Sequence, residues 1–226
     1  MNKTKLLAAV CCTAILFAAC EKSEPKVANN NDTKEAVDLG LSVKWATCNL
    51  GATKPEEYGN YYAWGEITTK ASYTWANYKY ANEDYEALTK YCSKSNYGKD
   101  GFTDTLTTLA ASDDAAIQNW GGNWRMPTNN EWEELIEKCI WTWTTKNGVN
   151  GYEVKATNGN SIFLPAAGAR ANDELYYTGL DGFYWSSLLN TVVPYNAQNV
   201  CLKSDSYNTY GYDRSFGRSV RPVLGK

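Results

Sequence analysis

Residues 124–139, WRMPTNNEWEELIEKC, constrain the fold more than any other stretch, because several local rules agree there. Thr128 can accept from the backbone N–H of Glu131 while Glu131 reaches back, which is a capping box, and Pro127 keeps the chain extended up to the cap. From the cap onward Trp132, Leu135, Ile136 and Cys139 recur at i, i+3, i+4 and i+7, with Glu133, Glu134, Glu137 and Lys138 on the other faces. The pattern predicts a short helix with one packed stripe. Its carboxylates read as a solvated face rather than as reacting groups.

At the start of the chain, Lys3 and Lys5 precede an apolar run over 6–19 that ends in Ala18, Ala19 and Cys20. Residues 1–19 read as a lipoprotein signal peptide, too short to span a bilayer comfortably, with Cys20 as the acylated first residue of the mature protein. Residues 20–35 contain almost no apolar side chain and no period, which predicts a flexible tether. Glu21 and Glu24 resemble the acidic signals of outer-membrane lipoproteins. The expected location is therefore the cell envelope, as an outer-membrane lipoprotein displayed at the surface, held to the membrane through its lipid anchor only.

Residues 36–226 are enough for one continuous core, and an aromatic content of 14% gives Trp and Tyr much of it. Loss of Lys3 and Lys5 with the signal takes the net charge from −3 to about −5, which argues against nucleic acid as a partner. Strands are predicted over 37–39 and 41–46 around Gly40, over 60–64, as a half-buried strand at 141–144, and over 182–188. Asn158-Gly159 predicts a hairpin with a type I′ turn that sets Val154 across from Phe163. Residues 168–177 read as loop. Ser112 is expected to cap a short helix through Trp120, with Asp113 and Asp114 in its first turn. In the aromatic-rich insertion 73–92, Tyr73, Trp75, Tyr78 and Tyr80 read either as a satellite core or as a platform for stacking a sugar.

The WRMPT and EWEEL strings, together with WATCNLGA (45–52), GNYYAWGE (59–66), LPAAGAR (164–170), GFYWSS (182–187) and SVRPV (219–223), resemble in order the blocks of the Fibrobacter succinogenes major paralogous domain family. The first two strings are also similar to formylglycine-generating sulfatase-modifying proteins. The resemblance covers about residues 36–224 and implies an α+β, C-type-lectin-like fold with two main helices and short, mostly antiparallel strands. One fold hosts many functions, so it does not name a ligand. Of the seven cysteines, Cys48, Cys92, Cys139 and Cys201 lie in the domain, and four cysteines allow three pairings. Because Cys48 and Cys139 fall in family blocks, a bridge between them is expected, with Cys92 and Cys201 free.

The chain has no histidine, which removes Ser-His-Asp and Cys-His nucleophiles, the H-E-x-x-H zinc site and the commonest metal ligand. No C-x-x-C, phosphate loop or dinucleotide glycine pattern occurs. Asp100 and Asp104 are too sparse for calcium. No metal and no cofactor is signalled. The formylglycine-generating relatives use a reactive cysteine pair near the C-terminus, where this chain has only Cys201. The calcium-lectin strings Glu-Pro-Asn, Gln-Pro-Asp and Trp-Asn-Asp are absent as well.

Residues 195–213, YNAQNVCLKSDSYNTYGYD, have the Tyr, Asn and Ser bias of an antibody paratope. They resemble the variable region of diversity-generating retroelement proteins, which sits before a fixed ending, here 216–223. Ordinary polar loops share that bias. The ligand-binding candidates are Tyr195, Asn196, Gln198, Asn199, Ser204, Asp205, Tyr207, Asn208, Tyr210, Tyr212 and Asp213. The leading expectation is a non-catalytic, lipid-anchored protein binding a protein or glycan at the cell surface. The alternative is a glycan-active envelope enzyme with an unidentified acid pair, or a carbohydrate-binding module.

Overall fold

The helix stripe, the turn residues and the strand alternation place most of the chain in short strands. The computed structural model describes residues 34–226, so Cys20, the signal segment 1–19 and nearly all of the tether 20–35 lie outside the described residues. In chain order the strands are β1 (Ala36–Val37), β2 (Val43–Ala46), β3 (Trp124–Arg125), β4 (Ile140–Lys146), β5 (Val149–Lys155), β6 (Ser161–Pro165), β7 (Ala169–Ala171), β8 (Glu174–Tyr176), β9 (Gly182–Leu189), β10 (Asn196–Lys203), β11 (Ser206–Asp213) and β12 (Val223–Gly225). Helices α1 (Ala115–Trp120) and α2 (Asn129–Lys138) complete a β-rich α+β fold. The sheets are antiparallel, in the orders β1-β2-β12-β3, β11-β10-β9, β4-β5-β6 and β7-β8. No helix among the described residues is long and apolar enough to cross a membrane.

Helix α2 forms as its residues predict. Thr128 Oγ1 accepts from the Glu131 N–H at 3.2 Å, and Glu131 Oε2 accepts from the Thr128 N–H at 2.8 Å. Trp132 and Leu135 are fully buried, and Trp132 packs on Trp45 with ring centroids 4.6 Å apart. Glu134 departs from the expected solvated face, since Oε2 accepts from the Ser42 N–H and hydroxyl and so ties α2 to the start of β2. Helix α1 starts later than expected. Asp114, not Ser112, is its cap, because residues 111–113 form a separate 3-10 turn and Asp114 Oδ1 accepts from the N–H groups of Ala116 and Ile117.

The β11-β10-β9 sheet separates two cores. Side chains alternate across it, so Trp185, Leu189 and Ala197 join a cluster with Trp64, Tyr78 and Tyr91, while Tyr184, Val200 and Leu202 join Trp45, Trp132 and Leu135 on the other face. The insertion belongs to the first of these cores: Tyr73, Tyr78 and Tyr80 are buried and Trp75 packs against them, so they form core and not an open sugar platform.

Several sequence expectations are corrected. The β5–β6 hairpin pairs Val154 with Ile162, not Phe163. A type I′ turn needs positive φ at both Asn158 and Gly159, and only Gly159 has it, at +89°; Ala156 N–H then bonds Asn160 O across a three-residue turn, which slips the register by one. Residues 168–177 are not loop but contain the β7–β8 hairpin, turned at Asn172 with φ 54°. Residues 60–64 form no strand, only a bridge from Tyr62 to Arg218. The Cys48–Cys139 bridge is not formed. Cys48 Sγ donates to the Ala52 carbonyl at 3.3 Å, whereas the Cys139 thiol packs with the α2 stripe, so the two sulfurs serve different neighbourhoods. Cys92 and Cys201 are likewise not bridged.

Candidate functional site

Residues 196–213 fold as a hairpin, β10 into β11, and period-2 alternation sorts the candidates by face. Asn208, Tyr210 and Tyr212 are exposed on β11 and stand opposite Cys201, Asn199 and Ala197 of β10. Tyr207 points to the other face, where it stacks on Trp141 at 4.7 Å and meets Tyr152 edge-on at 5.5 Å, so it is framework. Asn199 is fully buried; its Nδ2 donates to the Tyr210 carbonyl and its Oδ1 accepts from Arg218 Nη1 at 2.7 Å, which makes it a support. Ser204 and Asp205 are exposed at the hairpin tip. At the opposite end Tyr195 contacts Tyr85 and Tyr97, Asn196 pairs with Asp213, and Asp213 accepts from Trp75 Nε1 and from Ser215. Gln198 is half-buried opposite Gly211.

The structure thus brings together three of the candidates, Asn208, Tyr210 and Tyr212, and adds residues that the sequence reading did not select. A cleft of about 240 Å³ is walled by Tyr176, Tyr177, Phe183, Tyr212 and Phe216, with Arg218 also lining it. Tyr176 and Tyr177 come from β8 and its end, Phe183 from β9, Tyr212 from β11, and Phe216 and Arg218 from the segment that returns beneath the sheet. That segment is held by backbone pairs of Arg218 with Tyr62, Gly217 with Arg170, and Ser219 with Phe183 and Trp185. Gly217 is required there, because a Cβ would lie 2.7 Å from the Tyr73 ring. Tyr177 takes a left-handed φ of 58°, which projects its ring beside the cleft, 6.1 Å from Phe183.

Arg218 is 1% exposed. Its guanidinium lies 4.2 Å from the Tyr212 ring centroid, 4.7 Å from Phe183 and 4.9 Å from Trp185. Burial pushes its pKa down to about 10, with Tyr210 and Tyr212 opposing the shift, so it stays charged at neutral pH. Burial raises Asp213 above the usual carboxylate range against its bonds to Ser215. A second depression of about 300 Å³, lined by Thr144, Thr145, Lys146, Glu153, Ser161 and Phe163 among others, contains no buried polar atom without a partner. Among the described residues no group of three or more His, Cys, Asp or Glu could hold a metal.

The missed residues left some signals. Tyr176-Tyr177 are adjacent aromatics just after an Asn-Asp turn, and Arg218 is one of three arginines in 214–221. Compared with protein-family models, curated proteins and solved structures, the chain matches none.

Proposed function

We propose that this chain is a non-catalytic binding protein. It belongs to the cell envelope, is anchored through acylated Cys20, and presents its C-terminal hairpin on a C-type-lectin-like scaffold of the Fibrobacter succinogenes major paralogous domain type. The observation that carries the reading is the alternation on β11, which leaves Asn208, Tyr210 and Tyr212 exposed beside an aromatic cleft while the sheet behind them packs into two cores. Tyrosine supplies rigid amphipathic area at low entropic cost, and asparagine supplies adaptable hydrogen bonds. Outward residues on a paired strand can change without altering either core, which also supports diversification of this face by a retroelement. A charged arginine among rings offers a cation and stacking surface, not a general base. The partner is a protein or glycan, and the acidic net charge fits a partner other than nucleic acid.

The test is a screen of the purified protein against glycan and displayed-peptide arrays, repeated with the double variant Tyr210→Ser, Tyr212→Ser. Each aromatic anchor is expected to carry about 1 to 3 kcal/mol, so the double variant should lose most of the signal while melting cooperatively. A ligand bound equally by the double variant refutes this face as the binding surface.

A further inference from the structure

Three buried arginines lie close together in sequence, and two of them are plainly structural. Arg221 donates through Nε to Asn49 Oδ1, through Nη1 to Ala46 O and through Nη2 to Phe163 O. Arg214 donates to the carbonyls of Tyr91, Pro194 and Lys90. Arg218 has the same five donors and makes one bond, from Nη1 to Asn199. Its Nε is buried with no acceptor, as is that of Arg214, but Arg214 donates through both terminal nitrogens whereas Arg218 makes no bond through Nη2, and among the described residues no carboxylate lies within ion-pair distance of it. A buried cation whose hydrogen bonds are mostly unmade, lining an open cleft, is the environment in which an anion supplies what the protein does not. The three surrounding rings offset part of the missing solvation, but none of them accepts a hydrogen bond from the guanidinium.

We propose that this cleft binds a carboxylated sugar, a hexuronate residue, whose carboxylate meets Arg218 while its pyranose stacks on the tyrosine and phenylalanine walls. The inference rests on the binding-face reading above and names its ligand class. At about 240 Å³ the cleft falls below the roughly 300–1,000 Å³ that holds drug-sized ligands, so it admits about one ring. A bare inorganic anion would leave the aromatic walls unused, and a neutral sugar would leave Arg218 unmatched. A peptide C-terminus would bring amide groups that need partners, yet the wall backbone is already committed: Ala169–Ala171 pairs with β8, and Arg170 pairs with Gly217. A pyranose can instead turn its C–H face to the rings and its hydroxyls to the phenols of Tyr176, Tyr177 and Tyr212.

The experiment is isothermal titration of the full chain with digalacturonate, with its methyl ester, and with the neutral galactose disaccharide. The acid should bind about 10- to 100-fold more tightly than the ester or the neutral sugar, the range of a charge-assisted hydrogen-bond pair. Arg218→Gln should lose the same factor. Because Arg218 is buried, two further variants guard against misfolding: Ala171→Leu fills the cleft from its wall without touching the arginine, and Tyr177→Ala removes a ring that is 58% exposed. Both should weaken binding of the acid, Ala171→Leu about tenfold or more, with unchanged melting. Equal binding of acid and ester overturns the proposal, as does absence of acid binding by a cooperatively melting protein, or an isotherm unaltered by Arg218→Gln and Ala171→Leu. None of those results touches the Tyr210 and Tyr212 array test, so the binding-face reading fails or stands separately.

Discussion

Replacing Arg221 and Arg218 one at a time by methionine should separate a structural arginine from one kept for a ligand. Methionine preserves most of the stem packing and removes the guanidinium. At position 221 the change strips partners from Asn49 Oδ1, Ala46 O and Phe163 O, all contacted by a fully buried side chain. An orphaned buried acceptor costs about 1 to 3 kcal/mol; with three of them, and some relief from removing a desolvated charge, Arg221→Met should cost about 4 kcal/mol. For a domain of this size that corresponds to a fall of about 8 to 16 °C in melting temperature. At position 218 one hydrogen bond to Asn199 and the ring contacts disappear, but so does a buried charge with no carboxylate within ion-pair distance among the described residues and only a longer-range attraction to Asp213. The net change should lie within about 1 kcal/mol of the parent, in either direction. Urea denaturation followed by tryptophan fluorescence reads both. Equal losses, or a larger loss at 218, would mean that Arg218 is as structural as its neighbours and that its unmade bonds signify nothing.

Tyr207→Ala should cost about 2 to 3 kcal/mol in the same denaturation, because its ring stacks on Trp141; a loss below half a kcal/mol would return it to the binding face. Leu135→Ala should cost about 2 to 5 kcal/mol, while Glu137→Ala, exposed on α2, should stay within about half a kcal/mol, and equal effects would contradict the helix face. Burial alone would raise the pKa of Asp113, but the 2.6 Å bonds from Lys90 and Tyr91 outweigh it and hold it below its unfolded value. Its contribution is therefore complete above about pH 4 and is lost as pH falls below that; unfolding free energy measured from pH 7 to pH 3 should fall less steeply in Asp113→Asn, and an unchanged slope would refute the assignment. Cys20→Ala should leave the protein soluble or as an unprocessed precursor, and a processed variant that still fractionates with membranes would rule out the lipid anchor.

What was legible in the sequence was local. The α2 cap and stripe depend on residues within one or two turns of each other, so Thr128, Glu131, Trp132 and Leu135 could be read directly. The β5–β6 hairpin was visible but its register was not, since register turns on the φ of Asn158, and Asn-Gly admits more than one turn. In 206–213 the residue types suggested a contact surface, but its facing needed strand parity: Tyr207 is odd and faces Trp141, while Tyr210 and Tyr212 are even and face out. Asn172-Asp173 was a readable turn that would have revealed the β7–β8 wall. Arg218 was not readable, because in sequence it looks like Arg214 and Arg221. What distinguishes it is set by Asn199, Phe183, Trp185 and Tyr212, which only the folded sheet brings around it.

We propose that the outward residues of β11 and the adjoining cleft form one binding surface. A heteronuclear NMR titration of the protein with the strongest binder from the array screen tests it most directly. Perturbed resonances should cluster on Tyr176, Tyr177, Asn208, Tyr210, Tyr212 and Phe216, with Trp141, Trp143 and Tyr207 unmoved. Saturable shifts centred instead on the Trp141 face, or on the depression beside Thr144 and Phe163, would contradict it.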